Sequence, residues 1–452
     1  GCNICVNVCP EHALVTVQQD EAIVEKLRRN WKFWERLPDT DDRFINVRDI
    51  DEGVGVLSSL LLKKGNYRSM VGGDGACMGC GEKTAMHLVT STVEALMQPR
   101  VDKLLVHIDE LVAALDKQER EILGSSVDLK AAVKAGGDVG VKIPADKQAQ
   151  LALLQKSKEE LEHLKWLYIQ GPSGRGRVHM GITNSTGCSS VWASTYPYNP
   201  YPFPWVNHLF QDSPSVAIGV FEGHMRKMGD HFLQLRRAEQ LVAGAYDAAA
   251  FKKLSEEFGW KDFTDEEFHL CPPIMAIGGD GAMMDIGFQN LSRLMASGKP
   301  IRVMVLDTQV YSNTGGQACT SGFTGQVADM SAWGKAAHGK TEVRKELAFI
   351  AMAHRGVFVH QTSQASASHL IQGVLKGLNK RRPSLFIVYT PCPVERGLAD
   401  DWAPTAARLS LEARAFPFLT YDPDGGEDIA DCLSLEGNPQ IDQVWPTYQL
   451  KY

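Results

Sequence analysis

Ile274-Met-Ala-Ile-Gly-Gly-Asp-Gly281 and Ile301-Arg-Val-Met-Val-Leu-Asp307 are two short apolar runs, and each carries an aspartate at its end. A segment of helical period, Asp285–Ala296, lies between them. The same alternation of apolar runs and helices returns in Val357–His360, Ala367–Leu378 and Ser384–Tyr389. Continuous β-branched runs between helices are typical of parallel strands whose two faces are both covered. The sequence therefore predicts an α/β fold with a doubly wound, mostly parallel sheet.

Polar residues follow the two apolar runs at the points where parallel strands would end. Gly279-Asp280-Gly281 follows the first run, and Asp307-Thr-Gln-Val-Tyr-Ser-Asn313 closes the second. Ligands bind at the carboxyl ends of the strands in such sheets, and Mg²⁺ accepts protein oxygens together with phosphates. Glycine lets the backbone approach a diphosphate closely. Two unrelated loops are the alternative, but the pairing favours a site for magnesium and a diphosphate.

Four cysteines form a pattern that suits a metal centre. They are the Cys-x-x-Cys pair Cys77 and Cys80 and the distant single residues Cys188 and Cys392. Four thiolates bind either zinc or a [4Fe–4S] cluster. Zinc usually takes two paired Cys-x-x-Cys units, so one pair with two single residues favours the cluster. The remaining downstream cysteines match no ligand pattern and are interpreted as packing residues; they are Cys271, Cys319 and Cys432.

The sequence begins with Gly1-Cys2-Asn-Ile-Cys5-Val-Asn-Val-Cys9-Pro10. This is the bacterial ferredoxin run C-x₂-C-x₂-C-x₃-C-P without its first cysteine. We expect the segment to be the end of a two-cluster ferredoxin whose other part precedes Gly1, so that these three thiols complete neither ferredoxin cluster. Three thiols near a frayed terminus are the other interpretation. The run adds electron transfer to the predicted chemistry.

The composition excludes some classes of partner. The 452 residues include 47 Lys and Arg and 54 Asp and Glu, which gives a net charge of −7. This mild acidity favours neither a nucleic acid nor an anionic membrane as a partner. No apolar run reaches the roughly 18 residues of a membrane span. The cysteines lie in metal-ligand patterns along a long chain, so we expect a reducing, cytoplasmic location rather than a disulfide framework.

Several motifs resemble, in their order, the thiamine-binding region of the pyruvate:ferredoxin (flavodoxin) oxidoreductases. They are Cys77-x-x-Cys80-Gly-Glu82, Thr186-Gly-Cys188-Ser-Ser-x-Trp192, Pro202–Asp212, Gly279-Asp-Gly281, Asp285-Ile-Gly287, Thr308-x-Val310-Tyr-Ser-Asn313-Thr-Gly-Gly-Gln317 and Cys392. The resemblance runs from the ferredoxin segment to about Leu398 and concerns the C-terminal part of that family. A helical insertion after Met97 departs from the family pattern, in which the first two motifs are close in sequence.

The resemblance implies thiamine diphosphate, Mg²⁺ and [4Fe–4S] clusters as cofactors. The inner cluster would be held by Cys77, Cys80, Cys188 and Cys392. Magnesium would be bound by Asp280, Thr308 and the carbonyl oxygen of Val310, and Asn313 would be catalytic, beside the substrate and the thiazolium ring. The rest of the thiamine diphosphate site would comprise Glu82, Gly279, Gly281, Ala282, Thr314 and Gly315. Cys2 and Cys5 would ligate one ferredoxin cluster and Cys9 the other.

The resemblance also divides the chain into domains. Residues 1–17 would be the remnant of the ferredoxin domain, 18–66 a linker, 67–422 the thiamine diphosphate-binding domain with the insertion at 98–170, and 423–452 a C-terminal extension. Apolar residues at helical spacing, such as Leu104, Ile108, Leu154 and Leu161, predict two amphipathic helices in the insertion. We favour an antiparallel hairpin that packs on its own core over a coiled-coil oligomerisation arm.

The activity that the resemblance implies is the oxidative decarboxylation of pyruvate with coenzyme A to acetyl-CoA and CO₂. Electrons would pass through the clusters to ferredoxin or flavodoxin. The glutamate that activates thiamine in the family lies in N-terminal domains outside this sequence, so we expect the chain alone to be inactive and the whole protein to form a homodimer. The alternatives are another 2-oxo acid as substrate, a non-redox thiamine-dependent decarboxylase, and an electron-transfer or scaffold subunit with a vestigial site.

Overall fold

A computed structural model describes residues 4–7, 9–45, 56–126, 144–193, 198–331 and 338–439. The chain forms two compact units. The first, which we call the sheet unit, consists of Gly1–Leu96, Met180–Gly219 and Pro273–Tyr452. The second, the helical unit, consists of Met97–His179 and Val220–Pro272. The insertion predicted at 98–170 therefore supplies only part of the helical unit, because the segment from Val220 to Pro272 belongs to it as well.

The described residues of the sheet unit form an eight-stranded sheet. Its strands are β1 (Gly181–Asn184), β2 (Trp205–Val206), β3 (Ile274–Gly279), β4 (Arg302–Asp307), β5 (Phe358–Ser363), β6 (Ser384–Tyr389), β7 (Leu419–Tyr421) and β8 (Leu433–Ser434). Their order is β2-β1-β3-β4-β6-β5-β7-β8, with parallel pairs from β2 to β5 and antiparallel pairs at β7 and β8. The predicted α/β fold with a mostly parallel sheet is confirmed.

The helices of the described residues follow in chain order. They are α1 (Ile4–Asn7), α2 (Glu21–Arg36), α3 (Val56–Leu62), α4 (Lys64–Ser69), α5 (Gly81–Ser126), α6 (Ala145–Ile169), α7 (Cys188–Ala193), α8 (Ser213–Val242), α9 (Ala248–Glu257), α10 (Asp265–His269), α11 (Phe288–Ala296), α12 (Leu347–Met352), α13 (Ala367–Leu378), α14 (Pro393–Arg396), α15 (Ala403–Glu412) and α16 (Ile429–Cys432). In the part of the chain that the structure describes, no helix is long and apolar enough to cross a membrane.

The core of the sheet unit lies on the four central strands. Every residue of β3, β4, β5 and β6 is buried except Gly279, which is partly exposed. Because successive side chains of a strand point to opposite faces, this pattern shows that both faces are covered. Most of these residues are apolar, as the two runs quoted first predicted. Among the polar residues of these strands, Arg302 has the longest side chain, and it is only 2% exposed.

The helical unit buries its apolar residues between its own helices. Ile108 and Leu115 of α5 and Leu161 of α6 are fully or almost fully buried. The two helices run antiparallel, because Lys158 of α6 pairs with Asp116 of α5 at 2.7 Å while residues later in α6 pair with residues earlier in α5. This arrangement favours a hairpin that packs on its own core.

His360 of β5 is a buried titratable group in the sheet unit. Its Nδ1 lies 2.9 Å from Oγ1 of Thr420, and its Nε2 lies 3.1 Å from the carbonyl oxygen of His369. Burial, and then the charge of His369, lower the pKa of His360 from 6.5 to about 3. The neutral ring is therefore the form that the fold accepts.

We expect His360 to make the fold sensitive to acid. Its folded pKa lies below its unfolded value, so its contribution to stability is present above pH 6.5 and is lost as the pH falls towards 3. At pH 5 the loss is about 2 kcal/mol, since the pH is then about 1.5 units below the unfolded pKa. Urea unfolding at pH 8 and pH 5 checks this: His360→Gln should lose about 2 kcal/mol less than the wild type between the two conditions. The exposed His163→Gln serves as control, and an unchanged pH dependence in His360→Gln would contradict the prediction.

Candidate active site

The carboxyl ends of β3, β4, β6 and β5 lie side by side at one edge of the sheet, because these neighbouring strands are parallel. Asp280 follows β3, Thr308 follows β4 and Gln364 follows β5. Cys392 lies shortly beyond the end of β6. Ligands of open α/β sheets bind at this edge. The fold therefore brings together the segments that the sequence singled out for diphosphate and cluster binding.

The three residues predicted to bind magnesium are in contact. The Thr308 hydroxyl donates a hydrogen bond to the carbonyl oxygen of Val310 at 2.9 Å, and its Oγ1 lies 3.5 Å from Oδ1 of Asp280. The Ser312 hydroxyl donates to Thr308 Oγ1 at 2.7 Å. A carboxylate, a hydroxyl and a carbonyl oxygen thus meet at one point, which is the set of hard donors that Mg²⁺ accepts.

The Asp280 carboxylate is buried beside a second carboxylate, that of Asp307. Oδ1 accepts a hydrogen bond from the backbone N–H of Gly281 at 3.0 Å, and Oδ2 accepts one from the Ser321 hydroxyl and lies 3.4 Å from the Cys319 thiol. Burial, and then the charge of Asp307, raise the pKa of Asp280 well above its ordinary value. Two buried carboxylates side by side fit a divalent cation.

Asp307 is the second buried carboxylate of the site, and it has a cation of its own. Burial raises its pKa, whereas the guanidinium of Arg344, 3.3 Å from Oδ2, lowers it. Arg344 is therefore engaged with Asp307, and Asp280 is the carboxylate left for a metal ion. Sequence reasoning missed Arg344 and Ser321, because both lie in the long connection between β4 and α12 but outside the motif Thr308–Gln317.

Gly281 is required by the close approach of Tyr311. A Cβ atom at Gly281 would lie 2.1 Å from Cε1 of the Tyr311 ring, so any side chain there would displace the loop after β4. The Tyr311 hydroxyl donates a hydrogen bond to Asp285 Oδ2 at 2.5 Å, and the N–H of Thr320 reaches the same oxygen at 3.3 Å. These contacts join the segment after β3 to the segment after β4. The Asp285-Ile-Gly287 motif thus has a positioning role that its sequence did not reveal.

Glu82 lies in the first turn of α5 and is only 4% exposed. Its Oε2 accepts a hydrogen bond from Nε1 of Trp192 at 2.9 Å. Its Oε1 faces Gly279: a Cβ atom placed on Gly279 would lie 4.0 Å from this oxygen. Burial raises the pKa of Glu82 from 4.5 to about 7. The structure therefore brings Glu82 to the glycine that precedes Asp280, as the predicted cofactor pocket requires.

The remaining predicted cofactor residues have different environments. Ala282 is buried in the short helical turn that follows Asp280. Asn313 and Thr314 lie in a turn of 3₁₀-helix at Ser312–Thr314 and are exposed, and Gly315 ends that turn with φ of 111°. The Asn313 side chain is thus at the surface of the loop, one residue beyond Ser312. Its catalytic role stays a prediction.

The four predicted cluster cysteines interact electrostatically. The pKa of the Cys188 thiol is raised by burial, by Glu82 and by the charges of Cys392, Cys80 and Cys77. Burial, and then the charge of Glu82, raise the pKa of the Cys80 thiol to about 12, and burial raises the pKa of the Cys392 thiol. Backbone N–H groups of Lys83 and Glu82 at Cys80, and of Glu395 and Val394 at Cys392, oppose the rise. Donors of this kind stabilise thiolates at helix N-termini and around iron–sulfur clusters. The donor set fits a cluster.

The thiols are not assembled into a closed ligand cage. Among the described residues, no group of three or more His, Cys, Asp or Glu side chains has the spacing of a metal site. Cys77 is exposed, whereas Cys80, Cys188 and Cys392 are half-buried. Of the ferredoxin-type cysteines, Cys9 accepts a hydrogen bond from the N–H of Ala13 at 3.4 Å. Cys2 and the side chain of Cys5 lie outside the described residues.

The diphosphate motif coincides with a known domain. Residues 269–388 match the family model described as thiamine pyrophosphate enzyme, C-terminal TPP binding domain. The matched segment contains Asp280, Thr308 and Val310, which the structure brings into contact. The sheet unit therefore contains a thiamine pyrophosphate-binding domain.

Known proteins with similar sequences indicate the class of enzyme to which this chain is similar. The chain is 31% identical over 296 residues to the pyruvate:ferredoxin oxidoreductase of Moorella thermoacetica, which covers 57% of this chain and 25% of that protein. It is 28% identical over 264 residues to pyruvate synthase subunit PorB of Methanocaldococcus jannaschii, which covers 56% of this chain and 78% of the subunit. A solved 2-oxoglutarate:ferredoxin oxidoreductase from Magnetococcus marinus aligns with a TM-score of 0.34 and 13% identity, over 54% of this chain and 66% of that one.

The chain is thus a relative of the pyruvate:ferredoxin (flavodoxin) oxidoreductases, and the similarity lies in their C-terminal part. It spans about a quarter of the length of the first curated relative. The resemblance stated from the motifs is confirmed at the level of the family.

Proposed function

We propose that this chain supplies the thiamine diphosphate site and the inner iron–sulfur centre of a 2-oxoacid:ferredoxin oxidoreductase that acts on pyruvate. The whole protein would transfer the acetyl group to coenzyme A and the electrons to ferredoxin or flavodoxin, with N-terminal domains and a second copy of the chain completing it. The observation that carries the proposal is the contact of Asp280, Thr308 and Val310 within the thiamine pyrophosphate match at 269–388. The names of the curated relatives support pyruvate as substrate.

The residues at the ends of β3 and β4 would bind the metal ion and the diphosphate. When bound, thiamine diphosphate supplies an electron sink for the decarboxylation of a 2-oxo acid. Ser321 and Cys319 contact Oδ2 of Asp280, so Oδ1 remains on the side of Thr308. Asp280, Thr308 and the Val310 carbonyl would hold Mg²⁺ there against the diphosphate. Arg344 balances the charge of Asp307, so Asp307 does not compete with Asp280 for the ion.

Cys77, Cys80, Cys188 and Cys392 would hold a [4Fe–4S] cluster, which supplies a one-electron acceptor when bound. Ser312 connects the two sites, because its hydroxyl donates to Thr308 Oγ1 and is in hydrogen-bonding contact with the Cys392 thiol. A one-electron acceptor this close to the diphosphate residues supports the redox reaction over a non-redox decarboxylase. Thiolate ligands need a reducing compartment, so the cytoplasm is the proposed location.

Glu82 and Asn313 would act on the organic part of the cofactor and on the substrate. Glu82 Oε1 is on the side of Gly279, while Trp192 fixes the other carboxyl oxygen. Glu82 would line the pocket with that free oxygen. Asn313 lies on an exposed turn beside Ser312, which fits a residue that reaches a substrate from the open side of the site.

Calorimetric titration with thiamine diphosphate tests the proposal. We expect saturable binding to the purified chain in Mg²⁺ and loss of that binding in EDTA, because the diphosphate and Asp280 carry the same sign of charge. Reconstitution with iron and sulfide should give absorption near about 400 nm that dithionite bleaches, as expected of a [4Fe–4S] cluster. No binding of thiamine diphosphate in Mg²⁺ would overturn the assignment, and a colourless zinc-binding chain would overturn the redox part alone.

A further inference from the structure

Gln364 is a buried carboxamide that has no hydrogen-bond partner in the part of the chain that the structure describes. It is the first residue after β5 and is only 9% exposed, and both Oε1 and Nε2 lack partners there. A buried polar group without a partner destabilises the fold. Gln361, three residues earlier, is equally buried, but its Nε2 donates to the carbonyl oxygen of Pro417 at 2.8 Å. Gln364 is therefore a group that a bound ligand could satisfy.

The carboxamide lies against the chain neighbours of two predicted cluster ligands. A Cβ atom at Gly81 would lie 3.2 Å from Nε2 of Gln364 and 2.9 Å from the carbonyl oxygen of Pro391. Gly81 follows Cys80 directly, and Pro391 precedes Cys392 directly. Gln364 is thus next to the place where these two segments meet.

The order of the strands separates this place from the diphosphate residues. β5 pairs with β6, with Ser363 opposite Tyr389, and β6 leads to Cys392. The strands that lead to Asp280 and Thr308 are β3 and β4, and β6 lies between β4 and β5. In the order of the strands, the segment of Cys392 is therefore closer to Gln364 than the magnesium residues are.

We propose that the Gln364 carboxamide donates a hydrogen bond to a sulfur atom of the iron–sulfur centre held by Cys77, Cys80, Cys188 and Cys392, and thereby raises its reduction potential. The inference rests on the proposed function, since it needs that centre. Hydrogen bonds to the sulfurs are one of the determinants of the potential of such clusters. A donor stabilises the reduced cluster more than the oxidised one, because the reduced cluster carries more negative charge.

A redox titration of the reconstituted full-length chain tests the proposal. The wild type, Gln364→Met, Gln364→Asn and Gln361→Met are loaded with iron and sulfide, and the fraction of reduced cluster is followed by visible absorption and by electron paramagnetic resonance. At the wild-type midpoint, Gln364→Met should lower the ratio of reduced to oxidised cluster by about three- to tenfold, which is the effect of one lost hydrogen bond. Gln364→Asn, which keeps the donor, should recover part of the shift.

Gln361→Met is the matched control, because it removes a nearby buried glutamine that already has a protein partner. Gln364→Met removes no hydrogen bond to the described residues, so its thermal stability should not fall. Equal midpoints in the wild type and Gln364→Met, or the same shift in Gln361→Met, would overturn the inference. If Gln364→Met instead weakens thiamine diphosphate binding at an unchanged midpoint, the amide binds the organic cofactor and the inference is wrong. A wild-type chain that forms no cluster would refute the redox part of the proposed function and the inference with it.

Discussion

Replacement of Asp280 by asparagine is expected to weaken Mg²⁺-dependent binding of thiamine diphosphate by more than about 100-fold, since loss of an outer partner of a metal site already costs 10–100-fold. Asp280 is the carboxylate that faces Thr308 and Val310, whereas Asp307 is engaged by Arg344. An amide at position 280 keeps the shape of the carboxylate and removes its charge. The remaining hydroxyl and carbonyl oxygens cannot balance a divalent cation against the diphosphate.

The same substitution should leave the fold of the apo chain at least as stable. Burial and the neighbouring Asp307 raise the pKa of Asp280, so a neutral group is favoured at this position when no cation is bound. Thermal unfolding without ligand should therefore give an equal or higher midpoint for Asp280→Asn. Calorimetry at matched Mg²⁺ concentrations measures the binding, with Asp230→Asn on the exposed surface of α8 as control. Binding of Asp280→Asn within threefold of the wild type would show that the ion is held elsewhere.

The sheet and its ligand edge could be predicted because their signals are local. The run Ile274–Gly279 is apolar without alternation, which is the pattern of a strand buried on both faces, and the glycine after Asp280 marks a close approach of the backbone. The Thr308–Val310 contact spans only two residues, so the loop that carries it is readable from its own sequence. The strand order supplies the rest, since parallel neighbours end at the same edge.

The supporting residues of the site could not be predicted, because their partners are distant in sequence. Ser321 and Cys319 reach Asp280 across about forty residues of chain, and Arg344 reaches Asp307 across a similar distance. Cys319 matches no ligand spacing, so the sequence predicts a packing residue, yet its thiol lies 3.4 Å from the Asp280 carboxylate. The sequence predicts only α5 and α6 as the helical insertion. Local periodicity does not reveal that the segment of Leu241 belongs to the same unit, because its contact with α5, a hydrogen bond from Gln118 to the carbonyl oxygen of Leu241, joins residues far apart in sequence.

Arg302 is the clearest case of a residue whose role depends on such distant partners. It stands at the start of an apolar strand, where its sequence context predicts no partner, yet it is only 2% exposed. Nη2 donates to the carbonyl oxygens of Leu378 and Lys380 at 2.8 and 2.7 Å, and Nη1 donates to that of Arg382 at 2.8 Å. These carbonyls lie at the C-terminal end of α13 and just beyond it, where backbone acceptors have no helical partner and carry partial negative charge.

Arg302→Met is therefore expected to lower the free energy of unfolding by about 1–3 kcal/mol, the range for leaving buried acceptors without their donor. Three carbonyl oxygens would lose their donors, and that of Leu378 is buried. Arg302→Lys should recover only part of the loss, because one ammonium group cannot match the planar fork of the guanidinium. Arg408→Met, which removes a surface pair with Glu412 at 2.7 Å, is the control and should change stability by less than about 0.5 kcal/mol. Urea unfolding of the four proteins at pH 8 measures the difference, and a loss in Arg302→Met no larger than that in Arg408→Met would mean that the helix end is satisfied by other means.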